Sequence, residues 1–200
     1  SHLRLIFKDI RSFIISLLEP DQKIISKVSV PKIKKQMIKN GLAFNENGSP
    51  SWFYTAYDRK DKDPLTNYTL NKLITEEDSN SKILMTGCGT GIMVFFLLDN
   101  HFKYVDAFDY LEKCVEIANF VKSEGKYDGC NFWQDDGFNP TKITKKYDII
   151  TAMHWVFSAW MGNYGNEITS KIKNPKDPNL RKKLLYDFLK QYIPFLNSKG

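Results

Sequence analysis

The chain has 200 residues and a composition, 42% hydrophobic and 14% aromatic, that suits one globular domain with a small additional segment. Charges interrupt its first apolar segment, which therefore predicts neither a membrane span nor a secretory signal. The three cysteines are widely spaced, and we expect a cytoplasmic protein with reduced thiols. The net charge of +6 comes mainly from lysine, since four of the 29 basic residues are arginine, and this predicts solvated faces rather than a nucleic-acid groove.

The first part of the chain predicts helices around an aromatic loop. Apolar residues at three- and four-residue spacing predict an amphipathic helix over 3–18, and a lysine-rich helix over 30–40 is ended by Gly41. A loop follows with an Asn-Gly turn at 47–48 and many aromatic residues. A short helix over 66–78 then places Leu70, Leu73 and Ile74 inward.

From residue 82 the pattern becomes strand, turn and helix, repeated. Strands are predicted over 82–86, 103–109, 130–135 and 147–153, with helices directly after residue 91 and over 110–125. A last helix is predicted to begin with Asp177 as N-cap and Pro178 at its first position. This alternation predicts an α/β fold with a parallel sheet covered on both faces, and ligands in such sheets bind at the carboxyl ends of the strands.

The turn after the first strand reads ILMTGCGTG over 83–91. A dinucleotide loop needs glycine at the first, third and sixth positions, but the sixth position here is Ile92 and the third glycine comes early, at Gly91. A Walker loop also fails, because no Gly-Lys-Ser/Thr follows. The spacing therefore argues against NAD and ATP.

The pattern GCGTG after a strand resembles motif I of the class I S-adenosylmethionine-dependent methyltransferases. The resemblance continues in order with Asp109 at the end of the second strand, QDDG after the third, YDIITAM as the fourth strand and LLYDFLKQYIPFLNSKG at the end. It covers about residues 66–200. It implies a Rossmann-like three-layer sandwich in that region, with residues 1–65 as a helical and aromatic cap over the site, and S-adenosylmethionine as cofactor.

The resemblance also implies which residues bind the cofactor. Asp109 matches the acid that holds the ribose hydroxyls, and Asp136, ahead of Asp135, matches the acceptor of the adenine amino group. The full predicted set is Gly87, Cys88, Gly89, Thr90, Gly91, Asp109, Tyr110, Asp135, Asp136, Gly137 and Met153. Alternatives stay open: Asp109 as a helix cap, the Asp-Asp-Gly run as an ordinary turn, and Cys88 as a small loop residue.

Met85 departs from the family pattern. The family usually has Asp or Glu two residues before the first glycine, where it orders the amino group of the cofactor. A thioether does not accept a strong hydrogen bond from an ammonium group. Either backbone carbonyls of the glycine loop supply that contact, or cofactor binding is weaker, and a non-catalytic cofactor-binding module is the extreme case.

The methyl acceptor is predicted from the residues after the fourth strand. His154 stands there, and its ordinary pKa near 6.5 suits proton abstraction, with packing among tryptophans as the equal alternative. The N/D-P-P-Y/F signature of base methylation is absent, and no metal set is evident. We expect a small-molecule acceptor, with O-methylation of a sugar or similar metabolite ahead of an amine, and an RNA methyltransferase as a further alternative.

The sequence ends at Gly200, where family members continue with a fifth strand, a helix and an antiparallel hairpin. We therefore expect the natural protein to extend beyond Gly200 and the domain over 66–200 to lack its C-terminal strands here. The sequence does not specify the oligomeric state.

Overall fold

A computed structural model of the chain describes residues 27–57, 64–152 and 178–198. The predicted helix over 3–18, the cap residue Asp177 and the predicted site residues Met153 and His154 lie outside the described residues.

The described elements follow the predicted order closely. The helices are α1 (Val30–Lys39), α2 (Trp52–Ala56), α3 (Pro64–Glu76), α4 (Ile92–Asp99), α5 (Glu112–Gly125) and α6 (Pro178–Lys190), followed by a 3₁₀ turn (Ile193–Phe195). The strands are β1 (Lys82–Thr86), β2 (Tyr104–Asp109), β3 (Phe132–Gln134) and β4 (Ile149–Ala152). Within the described ranges, no helix combines the length and the apolar composition needed to cross a bilayer.

The four strands form one parallel sheet in the order β3-β2-β1-β4. Strand β1 is central, with Ile83 opposite both Val105 of β2 and Ile149 of β4. Because all strands run the same way, the residues that follow them meet at one edge of the sheet. The predicted α/β fold, a Rossmann-like parallel sheet with crossover helices, is confirmed by this topology.

Alternating residues of each strand supply the two faces of the sheet. Ile83 and Met85 of β1 pack in a large cluster with α1, α4 and α5, whereas Leu84 packs in a smaller cluster with α6. On the larger side α1 lies outside α5, and α3 lies against α4. The sheet is thus the middle layer of three, and its apolar residues make both halves of the core.

Helix α2 stands where the sequence predicted only a loop. Ser51 explains why it forms: its side-chain oxygen accepts the Tyr54 amide N–H (3.1 Å) as an N-cap, and its hydroxyl donates to the Leu42 carbonyl (2.6 Å). The predicted Asn-Gly turn at 47–48 precedes it, with Gly48 in the left-handed region at φ 78°. One buried serine therefore fixes where this helix begins and how it joins α1.

Candidate functional site

The loop between β1 and α4 bends at each of its glycines. Gly87, Gly89 and Gly91 have φ values of 64°, 54° and 81°, in the left-handed region that favours glycine. The Cys88 amide N–H donates to the Phe108 carbonyl at the end of β2, and the Gly91 amide N–H donates to the Cys88 carbonyl, both at 3.0 Å. The motif therefore encodes a backbone path that other residues adopt only with strain.

Gly91 is constrained by packing as well as by conformation. A Cβ atom at this position would lie 2.9 Å from Phe95 Cε2, 3.0 Å from Phe132 Cε1 and 3.2 Å from Ala118 Cβ. These neighbours belong to α4, β3 and α5, so the loop packs closely where these three elements meet. The early third glycine thus serves close packing of helices and sheet.

Asp109 joins the glycine loop to the end of β2. Its Oδ2 accepts the Gly89 amide N–H (2.7 Å), and its Oδ1 accepts the Leu111 amide N–H (2.9 Å) just before α5. Burial raises the pKa of the Asp109 carboxyl, while the amide N–H groups of Leu111, Gly89 and Tyr110 lower it. The carboxyl group therefore lies between the glycine loop and the turn that leads into α5, at the edge of the sheet where a ligand would bind.

The loop after β3 is organised by Asp135, which is buried. Its Oδ2 accepts the amide N–H groups of Lys142 (2.9 Å) and Thr141 (3.1 Å), and its Oδ1 accepts the amide N–H of Asp136 (3.0 Å). The Asp135 amide N–H in turn donates to the Asp109 carbonyl (3.1 Å). We call residues 135–142 the β3 loop. The shape of this loop depends on the Asp135 carboxylate, whose oxygens accept hydrogen bonds from the loop backbone.

Asp136 and Gly137 occupy the tip of the β3 loop. Asp136 is half-buried, and its Oδ1 accepts the Phe138 amide N–H (2.8 Å). The Gly137 carbonyl accepts hydrogen bonds from the Tyr192 hydroxyl (2.6 Å) and from Gln191 Nε2 (3.0 Å), both just after α6. Asp136 thus lies half-buried at the tip of the loop, whereas Asp135 is buried.

Residues of the N-terminal segment pack on the outside of the glycine loop. A Cβ atom at Gly89 would lie 3.3 Å from Phe53 Cε1 of α2. The buried Tyr57, which follows α2, donates a hydrogen bond from its hydroxyl to the Thr90 carbonyl (3.2 Å). Burial raises the pKa of Tyr57, so the hydroxyl keeps the proton it donates. Helix α2 therefore covers one side of this loop.

Two residues inside the motif do not behave as reactive groups. Burial, with the Asp109 charge next in size, raises the pKa of the Cys88 thiol well above its usual range, so the thiol stays protonated. Met85 is 1% exposed and packs in the larger core cluster. Strand alternation places it beside Ile83 on the α5 side of the sheet, and in this position it is a core residue.

The structure brings most of the predicted site residues to one edge of the sheet. The glycine loop contacts Asp109, and the backbone of Asp109 contacts the β3 loop. Tyr110 is exposed between them, and its carbonyl accepts from Gln134 Nε2 (3.1 Å). The predicted residues at this edge are Gly87, Cys88, Gly89, Thr90, Gly91, Asp109, Tyr110, Asp135, Asp136 and Gly137. Met153 and His154 lie outside the described residues, and their roles stay predictions.

Sequence reasoning missed Gln191 and Tyr192 at this site. Both residues lie in the segment that was matched only to the last helix and turn of the family. The sequence predicts a helix here but does not show which side chain after it reaches the β3 loop.

Comparison with known proteins gives matches among solved structures. The sequence matches no protein-family model and no curated protein. The chain is similar to the plantazolicin methyltransferase BpumL, at 20% identity over 84% of this chain and 58% of that one, with a TM-score of 0.46. It is also similar to magnesium protoporphyrin IX methyltransferase ChlM from Synechocystis PCC 6803, at 20% identity over 43% of this chain and 39% of that one, with a TM-score of 0.37.

A third similar structure is an S-adenosylmethionine-dependent methyltransferase from Thiobacillus denitrificans, at 19% identity over 44% of this chain and 35% of that one, with a TM-score of 0.36. The chain thus spans between 35% and 58% of the lengths of these three structures. All three are methyltransferases, and the chain is similar to them in the α/β fold that its own sheet topology establishes.

Proposed function

We propose that the protein is an S-adenosylmethionine-dependent methyltransferase. The observation that carries the proposal is where the amide N–H groups of the glycine loop point. Phosphate-binding loops direct such groups at the ligand. Here Cys88 donates to Phe108, Gly89 donates to Asp109, and Gly91 donates within the loop. Because these amide N–H groups already donate to acceptors within the protein, the loop suits a cofactor that has no phosphate groups.

The charge of the site supports the same choice. The carboxylates of Asp109, Asp135 and Asp136 lie at the edge where the glycine loop and the β3 loop meet. A site lined with acids attracts a cationic sulfonium and repels the polyanionic phosphates of NAD or ATP. The electrostatics and the amide geometry therefore favour the same class of cofactor.

Asp109 is proposed to hold the ribose of the cofactor. A carboxylate accepts about four hydrogen bonds, so the two amide N–H groups from Gly89 and Leu111 leave it capacity for hydroxyl donors. These two bonds also fix the orientation of the carboxylate before any ligand binds. The amide contacts and the ribose role are thus compatible, and an Asp109→Asn variant distinguishes the ribose role from a purely structural cap.

Asp136 is proposed to accept from the adenine amino group, and Tyr110 to lie beside the base. Asp135 is a weaker candidate for adenine, because its oxygens already accept the amide N–H groups of residues 136, 141 and 142. Asp136 is half-buried at the tip of the same loop, where a ligand reaches it. This division gives Asp135 a structural role and Asp136 a binding role.

Methyl transfer from a sulfonium is an in-line displacement, and the cofactor supplies the activated methyl group when bound. The protein contributes alignment and the exclusion of water. Phe53 and Tyr57 pack on the glycine loop and close that side of the site against solvent. For a hydroxyl acceptor we assign proton removal to His154, on the basis of its position in the sequence directly after the residues of β4 and Met153.

For the acceptor we propose a small molecule, methylated on oxygen, with a sugar or similar metabolite ahead of an amine. The support is the sequence pattern alone: the base-methylation signature is absent, and His154 stands where an acceptor-facing base is expected. A screen of hydroxyl and amine acceptors with methyl-labelled cofactor distinguishes the two. A His154→Ala protein that methylates a hydroxyl acceptor at the wild-type rate would remove the base assignment.

Isothermal titration calorimetry tests the cofactor directly. We expect S-adenosylmethionine and S-adenosylhomocysteine to bind with one-to-one stoichiometry and NAD and ATP to give no binding heat. An absence of heat with both sulfur cofactors would contradict the proposal. Binding of both without turnover of any acceptor would favour the non-catalytic module, and RNA retained at physiological salt would favour an RNA methyltransferase.

A further inference from the structure

The hydroxyl of Tyr192 lies at the functional edge of the sheet although the residue belongs to the segment after α6. Tyr192 is 4% exposed and packs in the smaller core cluster with Leu84 and Phe108. Its hydroxyl donates to the Gly137 carbonyl at 2.6 Å. The side chain therefore packs with residues of α6 and of the sheet and ends on the β3 loop.

A second donor from the same turn reaches the same acceptor. Gln191 Nε2 donates to the Gly137 carbonyl at 3.0 Å. The ring of Phe138, the next residue of the β3 loop, packs edge-on against Phe188 of α6 with centroids 5.8 Å apart, and Phe188 packs against Tyr192 at 5.2 Å. The β3 loop is thus fixed to α6 and the turn after it by two hydrogen bonds to the Gly137 carbonyl and by the packing of Phe138.

On the opposite side Tyr192 packs against the central strands. It shares the smaller core cluster with Leu84 of β1 and Phe108 of β2. Thr86, the last residue of β1, links that strand to β4, because its Oγ1 donates to the Thr151 carbonyl at 2.9 Å. Packing therefore holds the Tyr192 ring against the sheet while its hydroxyl holds the β3 loop.

We propose that Tyr192 and Gln191 are positioning residues that hold Gly137, and with it the neighbouring carboxylate of Asp136, in the geometry that reads the adenine amino group. The inference rests on the proposed function, since it concerns how the adenine end of that cofactor is recognised. Two donors on one carbonyl fix both its position and its direction. Because Asp136 adjoins Gly137 along the chain, a shift of this peptide displaces the carboxylate that faces the base.

The protonation of Tyr192 agrees with this role. Burial, followed by the charges of Asp135 and Asp136, raises the pKa of the phenol above its usual value. The hydroxyl therefore remains a donor throughout the working pH range of a protein. Its hydrogen bond to Gly137 is not a pH switch.

The test compares two ligands across matched variants. S-Adenosylhomocysteine carries the 6-amino group, and its 6-deamino analogue has hydrogen in that place, so it offers an aspartate no donor there. Titration calorimetry gives the ratio of their Kd values for the wild-type chain, Tyr192→Phe and Gln191→Met. Tyr186→Phe is the control, because it is the same substitution on α6 at a side chain that is 63% exposed.

We expect the wild type and Tyr186→Phe to prefer S-adenosylhomocysteine by about tenfold or more, as one buried hydrogen bond allows. Tyr192→Phe should reduce this preference by about fivefold, and Gln191→Met by about twofold, with Kd for the 6-deamino analogue nearly unchanged. A merely structural role would weaken both ligands equally. Gln191→Met carries the test if Tyr192→Phe does not fold.

The outcomes separate this inference from the proposed function. A wild-type chain that binds neither ligand contradicts the proposed function and removes the inference with it. A wild type that prefers S-adenosylhomocysteine while Tyr192→Phe and Gln191→Met keep the full preference overturns the inference alone. Equal binding of the two ligands by the wild type also overturns it, since the amino group is then not read.

Discussion

The two loops that form the candidate site are held by different physical means. The glycine loop over 87–91 follows a left-handed path and is pressed against Phe95, Phe132 and Ala118, so conformation and packing set its shape. The β3 loop is held by hydrogen bonds, from its own backbone to Asp135 and from α6 to Gly137. The backbone path of the first loop is set by its own glycines, whereas the second loop also depends on hydrogen bonds from residues more than fifty positions away.

This difference explains what the sequence could predict. Glycines at alternate positions favour a left-handed backbone, so their spacing predicted both the loop and its position between a strand and a helix. Asp109 could be predicted because it ends the second strand, where the family has its acidic residue. The anchoring of the β3 loop by Gln191 and Tyr192 was not, because hydrogen-bond partners that far apart leave no periodic signal.

The glycine loop gives the largest expected effect. Gly91→Ala places a Cβ in the left-handed region and within 2.9 Å of Phe95 Cε2. We expect the free energy of unfolding to fall by about 3 kcal/mol, from conformational strain and overpacking together. Urea denaturation measures this loss.

Gly48→Ala is the matched control for Gly91. Gly48 has φ 78°, but a Cβ there meets no atom within 4 Å. It should lose about 1 kcal/mol, the conformational part alone. Equal losses in the two variants would show that packing does not constrain the glycine loop.

The β3 loop should respond to removal of its carboxylate. Asp135→Ala leaves the amide N–H groups of residues 136, 141 and 142 without their acceptor. We expect a loss of about 2 kcal/mol in the free energy of unfolding, because hydrogen bonds to charged groups are among the stronger ones. Asp128→Ala, at an exposed aspartate on the approach to β3, should change it by less than about 0.5 kcal/mol. A similar loss in both variants would contradict the anchoring role.

Asp109 links the two loops, and its ionisation should appear in the pH dependence of stability. Burial raises the pKa of the folded carboxyl above its ordinary value of 3.8, so the folded state keeps a proton that the unfolded state has released. Stability should therefore fall in the wild type, relative to Asp109→Asn, as the pH rises above 3.8. Urea denaturation at a series of pH values measures the difference, and parallel curves would contradict it.

Asp109→Asn also tests the ribose role at neutral pH. An amide offers one acceptor oxygen in place of two, so we expect Kd for S-adenosylhomocysteine to rise about tenfold. An unchanged Kd would favour Asp109 as a purely structural cap of the chain before α5.

Met85 should give the smallest effect. Met85→Leu conserves volume in a core position that is 1% exposed, and we expect a change below about 1.5 kcal/mol in the free energy of unfolding. Its Kd for S-adenosylhomocysteine should stay within about twofold, because the side chain lies in the core beneath the loop. A tenfold weaker Kd without a stability loss would show that the thioether reaches the ligand.

Met85 and α2 show two further limits of the sequence. In the structure Met85 packs with Ile83 in the core, whereas the family resemblance drew attention only to the missing acid. Helix α2 was missed because five residues are too few for helical periodicity to be visible. Its start depends on the Ser51 cap, a single side chain that also occurs in ordinary turns.

The reactivity of the three buried thiols reports local opening of the structure around each of them. Cys88 lies in the glycine loop, Cys114 on α5 and Cys130 just before β3, and burial raises the pKa of each, to about 11 for Cys130. A thiol of this kind reacts with an alkylating reagent only after the surrounding structure opens. The order in which the three are modified therefore ranks the opening of the elements that border the site, with no label added to the chain.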